Sequence, residues 1–242
     1  MGRTFENRKL KMLKRGDRDA KAFTRAGRQI AMAVKSGGGD PDANPALRRA
    51  VQNALAVNMP KDKIKNAIEK AAGLSDTSEY KEVTYEGYAP HGIPVLVVAA
   101  TDNPTRTVSN FRSHFKKCGG NLGNTGSVSF MFDHMGVFKL DPESVTVELE
   151  ELELDLIDHG LESLEHDTDE DDNPILVLRC AFTEFGNLQS ALDERGIEPK
   201  TSGAEYVPQT TTELSDEQVE EVLKLVDRLE EDDDSQNVFH TL

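Results

Sequence analysis

The chain has 242 residues, 37% hydrophobic and 30% charged, the composition of an ordinary soluble protein and longer than a single core usually organises. No run of about 18 apolar residues occurs, so no bilayer-spanning helix is expected, and the charged start from Met1 to Leu13 lacks the apolar stretch of a secretory signal. Cys118 and Cys180 are the only cysteines, too few for a disulfide framework, and a reducing cytoplasmic setting is the simplest expectation.

The formal charge of −16 hides a gradient. Residues 1–72 hold 17 Lys and Arg against 7 Asp and Glu, a net of +10, whereas residues 136–242 hold 6 against 31, a net of −25. The average argues against a polyanionic partner. The gradient argues for one, at the N-terminal end alone.

Three helices are predicted first. One runs from about Asp17 or Asp19, either a possible cap, to Lys35, and Gly37-Gly38-Gly39 ends it. The second opens at Asn44-Pro45 and reaches about Val57; the third opens near Pro60 and closes at Gly73. Helically spaced apolar residues (Phe23, Ala26, Ile30, Ala33; Leu47, Val51, Ala54, Leu55; Ile64, Ala67, Ile68, Ala71) and short connections predict a three-helix bundle.

The other side of the first helix carries the charge. Lys14, Arg18, Lys21, Arg25, Arg28 and Lys35 fall within roughly 100° of arc, nearly opposite Phe23, Ala26, Ile30 and Ala33. Arg3, Arg8, Lys9, Lys11 and Arg15 extend this stripe toward the N-terminus. A merely soluble face would mix signs. A face this uniform is expected to contact phosphates, and a membrane surface is the lesser option because the apolar side is committed to the bundle.

From Tyr80 the pattern changes to strands and helices. Strands are predicted at Lys81–Tyr88, Pro94–Ala100 and Ser127–Phe132, with a helix over Thr105–Cys118 opened by Asn103-Pro104. Beyond Gly136 come a strand (Val137–Leu140), a helix (about Val145–His159), strands near Leu161–His166 and Ile175–Ala181, a helix (Glu184–Arg195) and a strand near Ala204–Pro208. That β-α-β-β-α-β order is ferredoxin-like. The helix Asp216–Leu229 is left over and is expected to return to the middle segment. The predicted class is therefore α+β: a basic helical domain (1–77), a central α+β domain (78–135 with 208–242) and an inserted ferredoxin-like α+β domain (136–207).

No catalytic or metal motif is complete. The glycine-rich stretch Gly119–Ser127 has no lysine and leads into a predicted strand, unlike a phosphate-binding P-loop. Asp167, Asp169 and Asp171 resemble the start of a calcium loop, but Asp172 stands where glycine is needed and Leu178 where glutamate is needed. The six histidines show no zinc-ligand spacing, and no nucleophile elbow or Cys-x-x-Cys pair is present. Neither enzyme activity nor a cofactor or metal is expected. Glu230-Glu231-Asp232-Asp233-Asp234 reads as a solvated helix terminus, or as a competitor of nucleic acid for the basic arm.

Several runs carry a family resemblance. They are Gly37-Gly38-Gly39-Asp40-Pro41-Asp42-Ala43-Asn44-Pro45, Asn58-Met59-Pro60-Lys61-Asp62-Lys63-Ile64, Tyr85-Glu86-Gly87-Tyr88, Thr101-Asp102-Asn103-Pro104-Thr105-Arg106-Thr107, Gly126-Ser127-Val128-Ser129-Phe130-Met131-Phe132 and Leu229–Val238. In this order, along nearly the whole chain, they resemble the YebC-type family. The resemblance implies three domains, the third inserted in the second, and a bacterial DNA-binding transcriptional regulator without established catalytic residues. It also implies an alternative in translation: a mitochondrial relative activates synthesis of a cytochrome oxidase subunit, and bacterial relatives are linked to ribosomes stalled on proline-rich sequences. Gly2-Arg3-Thr4-Phe5-Glu6 departs from the Gly-His-Ser-Lys-Trp opening of many members. Two ligands for the basic face stay open at this level, duplex DNA and ribosomal RNA, with a protein adaptor role for the acidic half weakest.

Overall fold

The structure, a computed structural model, describes residues 2–73, 80–169 and 172–242, with side chains from Asp19 onward. In chain order the elements are α1 (Gly2–Gly37), α2 (Pro45–Ala56), α3 (Lys61–Gly73), β1 (Lys81–Tyr88), β2 (Pro94–Thr101), α4 (Pro104–Lys117) and β3 (Asn121–Leu122). Then follow β4 (Phe132–Leu140), α5 (Leu149–Ile157), β5 (Leu161–Thr168), β6 (Pro174–Ala181), α6 (Phe185–Glu194), β7 (Thr201–Pro208), α7 (Asp216–Glu230) and β8 (Ser235–His240). The chain divides into two compact units, Met1–Ser129 with Thr210–Leu242, and Phe130–Gln209.

In the first unit, α1 passes straight through Asp17 and Asp19, so neither caps it. Ten of residues 2–19 are Arg, Lys, Leu or Met, strong helix formers, and none is proline, so the helix carries on through Gly16 to the glycines at 37–39. Its 36 residues span about 54 Å at 1.5 Å per residue. Gly38, at φ 88°, supplies the left-handed residue that ends it, and its N–H reaches the Val34 carbonyl at 2.8 Å.

Asn44 then starts α2. Its Oδ1 accepts the Leu47 N–H at 3.1 Å, while its Nδ2 donates to the Ala33 and Gly38 carbonyls at 2.8 Å each. One buried amide thus ties the end of α1 to the start of α2. Ile30, Val34, Leu47, Ala54, Met59 and Ile64 close the core of the three helices.

The sheet of this unit has the order β3-β1-β2-β8, every neighbouring pair antiparallel. Val95, Val97 and Ala99 pack with Phe111 and Phe115 of α4 and Val222, Leu225 and Leu229 of α7. The helix α7 does join these strands, and the residues after it form β8, an edge strand that the short apolar stretch Val238-Phe239 did not reveal.

Ser127–Phe132 is not a strand, contrary to the prediction; a 3-10 turn covers Ser129–Met131, and β4 begins only at Phe132. The reason is Glu86. Its carboxylate, 3% exposed on β1, accepts the N–H groups of Gly126 (2.7 Å), Val128 (2.7 Å) and Ser129 (2.9 Å), so these amides are not free for a ladder.

The second unit has the sheet order β5-β6-β4-β7, again antiparallel throughout. Leu152 and Leu156 of α5 and Leu188 and Leu192 of α6 pack with Phe138, Leu140, Leu176 and Leu178. Both helices thus lie on one sheet face, the ferredoxin-like arrangement. The helix predicted over Val145–His159 is shorter, since β-branched Val145-Thr146-Val147 disfavour helix and Pro142–Ser144 form their own 3-10 turn.

Candidate nucleic-acid interface

The predicted interface residues Arg3, Arg8, Lys9, Lys11, Lys14, Arg15 and Arg18 belong to the backbone of α1, and their side chains lie outside the described residues. Lys21, Arg25, Arg28 and Lys35 are described. Lys35 is exposed in the last turn of α1, where a cation suits the negative helix end. The other three meet the chain's own C-terminal segment.

Lys21 Nζ lies 3.7 Å from Glu231 Oε1, with both side chains well exposed, so this pair contributes little. Arg25 donates to the Glu230 carbonyl at 2.5 Å; burial pulls its guanidinium below the usual arginine value, against the opposing pull of Glu230. Arg28 goes deepest. Its Nη1 donates to the Ala100 carbonyl at 2.8 Å and to Asp234 Oδ1 at 3.0 Å, and its guanidinium stands 5.1 Å from the centre of the Tyr80 ring.

Asp234 is the hub of this junction. It is 3% exposed, and its Oδ2 accepts the Thr107 hydroxyl at 2.7 Å. Arg106 Nη2 reaches both of its oxygens at 3.1 Å, and Asp102 holds the same nitrogen at 2.8 Å. Thr107 Oγ1 also lies 2.7 Å from Thr101 Oγ1, and the Ala100 N–H donates to the Asp234 carbonyl at 2.9 Å. Burial alone would raise the Asp234 carboxyl; Thr107, Arg106 and Arg28 outweigh it and hold the group below the usual carboxylate range. Beside it, His114 Nε2 contacts Asp232 Oδ2 at 3.1 Å.

The reading of Glu230–Asp234 as a solvated terminus is therefore corrected for Asp232 and Asp234, whose side chains are 8% and 4% exposed. A charge run looks uniform in sequence, whereas here alternate carboxylates turn inward to arginines and a histidine. The stripe divides accordingly. Arg25 and Arg28 serve the junction, and Arg3 to Arg18 belong to the preceding turns of the same helix backbone.

The glycine-rich loop holds an internal anion. Burial pushes the Glu86 carboxyl up, but the amides of Gly126, Val128 and Ser129 outweigh it and keep the group below its ordinary value. Those amides cannot also cradle a phosphate. Charge patterns and catalytic or metal motifs in the sequence do not single out Glu86, Arg106, Thr107 or Asp234, although all four lie in runs that carry the family resemblance. The available signal was local: a glutamate set between Tyr85 and Gly87-Tyr88 in a predicted strand, and an aspartate next to Ser235-Gln236 in a segment otherwise read as solvent-facing. In the second unit, Asp169 accepts from Asn173 Nδ2 at 3.0 Å and from Lys200 at 2.8 Å, while Asp171 lies outside the described residues. No helix among the described residues is long and apolar enough to cross a membrane.

Comparison with known proteins matches residues 3–74 to the TACO1/YebC protein N-terminal domain and residues 80–242 to the TACO1/YebC second and third domain. A protein of Anaeromyxobacter dehalogenans is 56% identical over the full length of both chains, and one of Myxococcus xanthus 52%; each is named "Probable transcriptional regulatory protein". A Flavobacterium johnsoniae protein of the same name is 50% identical, covering 100% of this chain and 99% of its own. Among solved structures, a conserved hypothetical protein, Aq1575, from Aquifex aeolicus superposes with a TM-score of 0.76 at 35% identity, over 92% of this chain and 89% of that one.

Proposed function

We propose, from the premise that this chain belongs to the TACO1/YebC family, that it is a cytoplasmic regulator of transcription that binds DNA through α1. It acts by binding rather than by catalysis. The observation that carries this reading is that one continuous helix backbone, α1, strings the basic residues of the N-terminal segment together. Two of its arginines are committed to the C-terminal junction, which fixes the helix to its own unit. The remaining cations, Arg3 to Arg18 with Lys21, follow one helix over a sequence that holds 17 Lys and Arg against 7 Asp and Glu in residues 1–72. Such a row suits the closely spaced phosphates of a polyanion. The names of the relatives support the transcriptional side of the reading.

A second reading rests on what the stripe lacks. Gln29 is its one clear candidate for hydrogen bonding to base edges, so backbone contact dominates over base reading. That favours modest sequence selectivity, which a factor contacting ribosomal RNA would share, including one acting at ribosomes stalled on proline-rich sequences.

Reversal of Lys14, Arg15 and Arg18 to glutamate in the full chain tests the interface. Binding to a short duplex, followed by fluorescence anisotropy over a salt series, should weaken strongly. The log–log salt slope should fall by about 0.9 for each phosphate that the helix no longer neutralises. Unchanged affinity and slope would remove α1 from the interface.

A further inference from the structure

The outer pole of α5 carries large apolar side chains where a surface helix ordinarily carries polar ones. Leu152 and Leu156 turn into the core at 2% and 0% exposure, while Leu154 is 72% exposed and Ile157 52%. At about 100° per residue, Leu154 stands nearly opposite the inward pair, with Ile157 roughly 60° around from it. Val147, 47% exposed, precedes them on the entering loop.

Carboxylates flank this ridge. Glu150, Glu151 and Glu153 are exposed, and among the described residues none has a cation partner; Asp155 is paired, with Arg195 at 2.5 Å. Single exposed apolar residues are ordinary. Here they share one pole of a nine-residue helix with unpaired negative charge. The whole of Phe130–Gln209 has the same sign, with 21 Asp and Glu against 4 Lys and Arg, so nucleic acid would be repelled.

We propose that this face of α5 docks a basic amphipathic helix of a partner protein. Apolar residues at every third and fourth position of that helix cover Leu154 and Ile157, and its flanking Lys and Arg pair with Glu150, Glu151 and Glu153. A second copy of this chain is a poor occupant. The apolar side of its own basic helix, from Ala26 to Val34, is buried against α2 and α3. The inference is independent of what α1 binds.

The test uses the full-length, isotope-labelled protein and a synthetic helical peptide with leucine at every third and fourth position and lysine elsewhere. Amide shifts should concentrate between Val147 and Asp158. The pair Leu154→Ser with Ile157→Ser should weaken peptide binding by about tenfold or more, the worth of one buried aliphatic side chain. Should that pair misfold by circular dichroism, Leu154→Gln alone, which keeps helix propensity, carries the comparison. Glu150→Gln with Glu151→Gln should lower affinity and its salt dependence together. Binding that the apolar substitutions leave unchanged, or shifts spread over the other carboxylates of the unit, would overturn the proposal in favour of charge alone. A concentration-dependent dimer that the serine pair dissociates would reassign the face to a second copy. An absence of peptide binding would remove the docking site.

Discussion

Replacing Asp234 by asparagine keeps the shape of the side chain and removes its charge. The wild-type carboxylate accepts hydrogen bonds from Thr107 (2.7 Å), Arg28 (3.0 Å) and Arg106 (3.1 Å, to each oxygen). Asparagine retains one acceptor oxygen and turns an amide donor toward a neighbour that is itself a donor. Hydrogen bonds to charged groups contribute about 1.5–3 kcal/mol, and leaving a buried cation without its partner costs about 3–5 kcal/mol. Arg28, 13% exposed, keeps the Ala100 carbonyl and the Tyr80 ring, which limits the damage. A net loss of about 2–4 kcal/mol follows, or roughly 5–15 °C in the melting of this unit. Acid should erase the difference. The folded carboxyl lies below its ordinary value, so its contribution is complete above about pH 4, the unfolded value, and disappears as pH falls through the lower folded value. Thermal melts of both proteins at neutral and strongly acidic pH measure this. Melting of Asp234→Asn within about a degree of wild type at pH 7, or a gap that persists unchanged in acid, would contradict the hub.

Glu86→Gln should cost about 2–3 kcal/mol by urea unfolding, speed hydrogen exchange at Gly126, Val128 and Ser129, and lose its penalty in acid, since the folded Glu86 carboxyl is also depressed. Asn44→Ala should cost about 2 kcal/mol, because the cap of α2 and two bonds to the end of α1 disappear together. Gly120→Ala should destabilise by about 1–3 kcal/mol, its new Cβ falling 2.5 Å from the Tyr88 carbonyl oxygen. Arg28→Ala should lower the melting temperature, because its bonds to the Ala100 carbonyl and Asp234 are lost together.

Local rules account for what was legible in the sequence. Asn44-Pro45 and Asn103-Pro104 announce helix starts because an amide cap and a proline satisfy the same free backbone ends, and both helices begin there. The strand Lys81–Tyr88 and the β-α-β-β-α-β order were readable from apolar periodicity, and so was the α+β class. What escaped was set by contacts distant in sequence. Ser127–Phe132 has a strand-like composition, yet Glu86, some forty residues earlier, takes its amides. β8 is short and follows five acidic residues, so composition argues for solvent although pairing with β2 makes it a strand. Arg25 and Arg28 fit a phosphate-facing stripe by helical angle. Nothing local says that Glu230 and Asp234, more than two hundred positions later, already occupy them.

The most direct measurement of the proposed function is a competition at physiological salt. Labelled promoter DNA on the full-length protein is challenged with random duplex and with purified ribosomes in one buffer. A DNA-binding regulator must prefer its site over random duplex by about 10³-fold or more, through base edges or DNA shape. The transcriptional reading predicts that unlabelled promoter displaces the probe at far lower concentration than random duplex or ribosomes. If ribosomes displace it best while promoter and random duplex compete equally, the basic face of α1 belongs to ribosomal RNA and the transcriptional reading is contradicted.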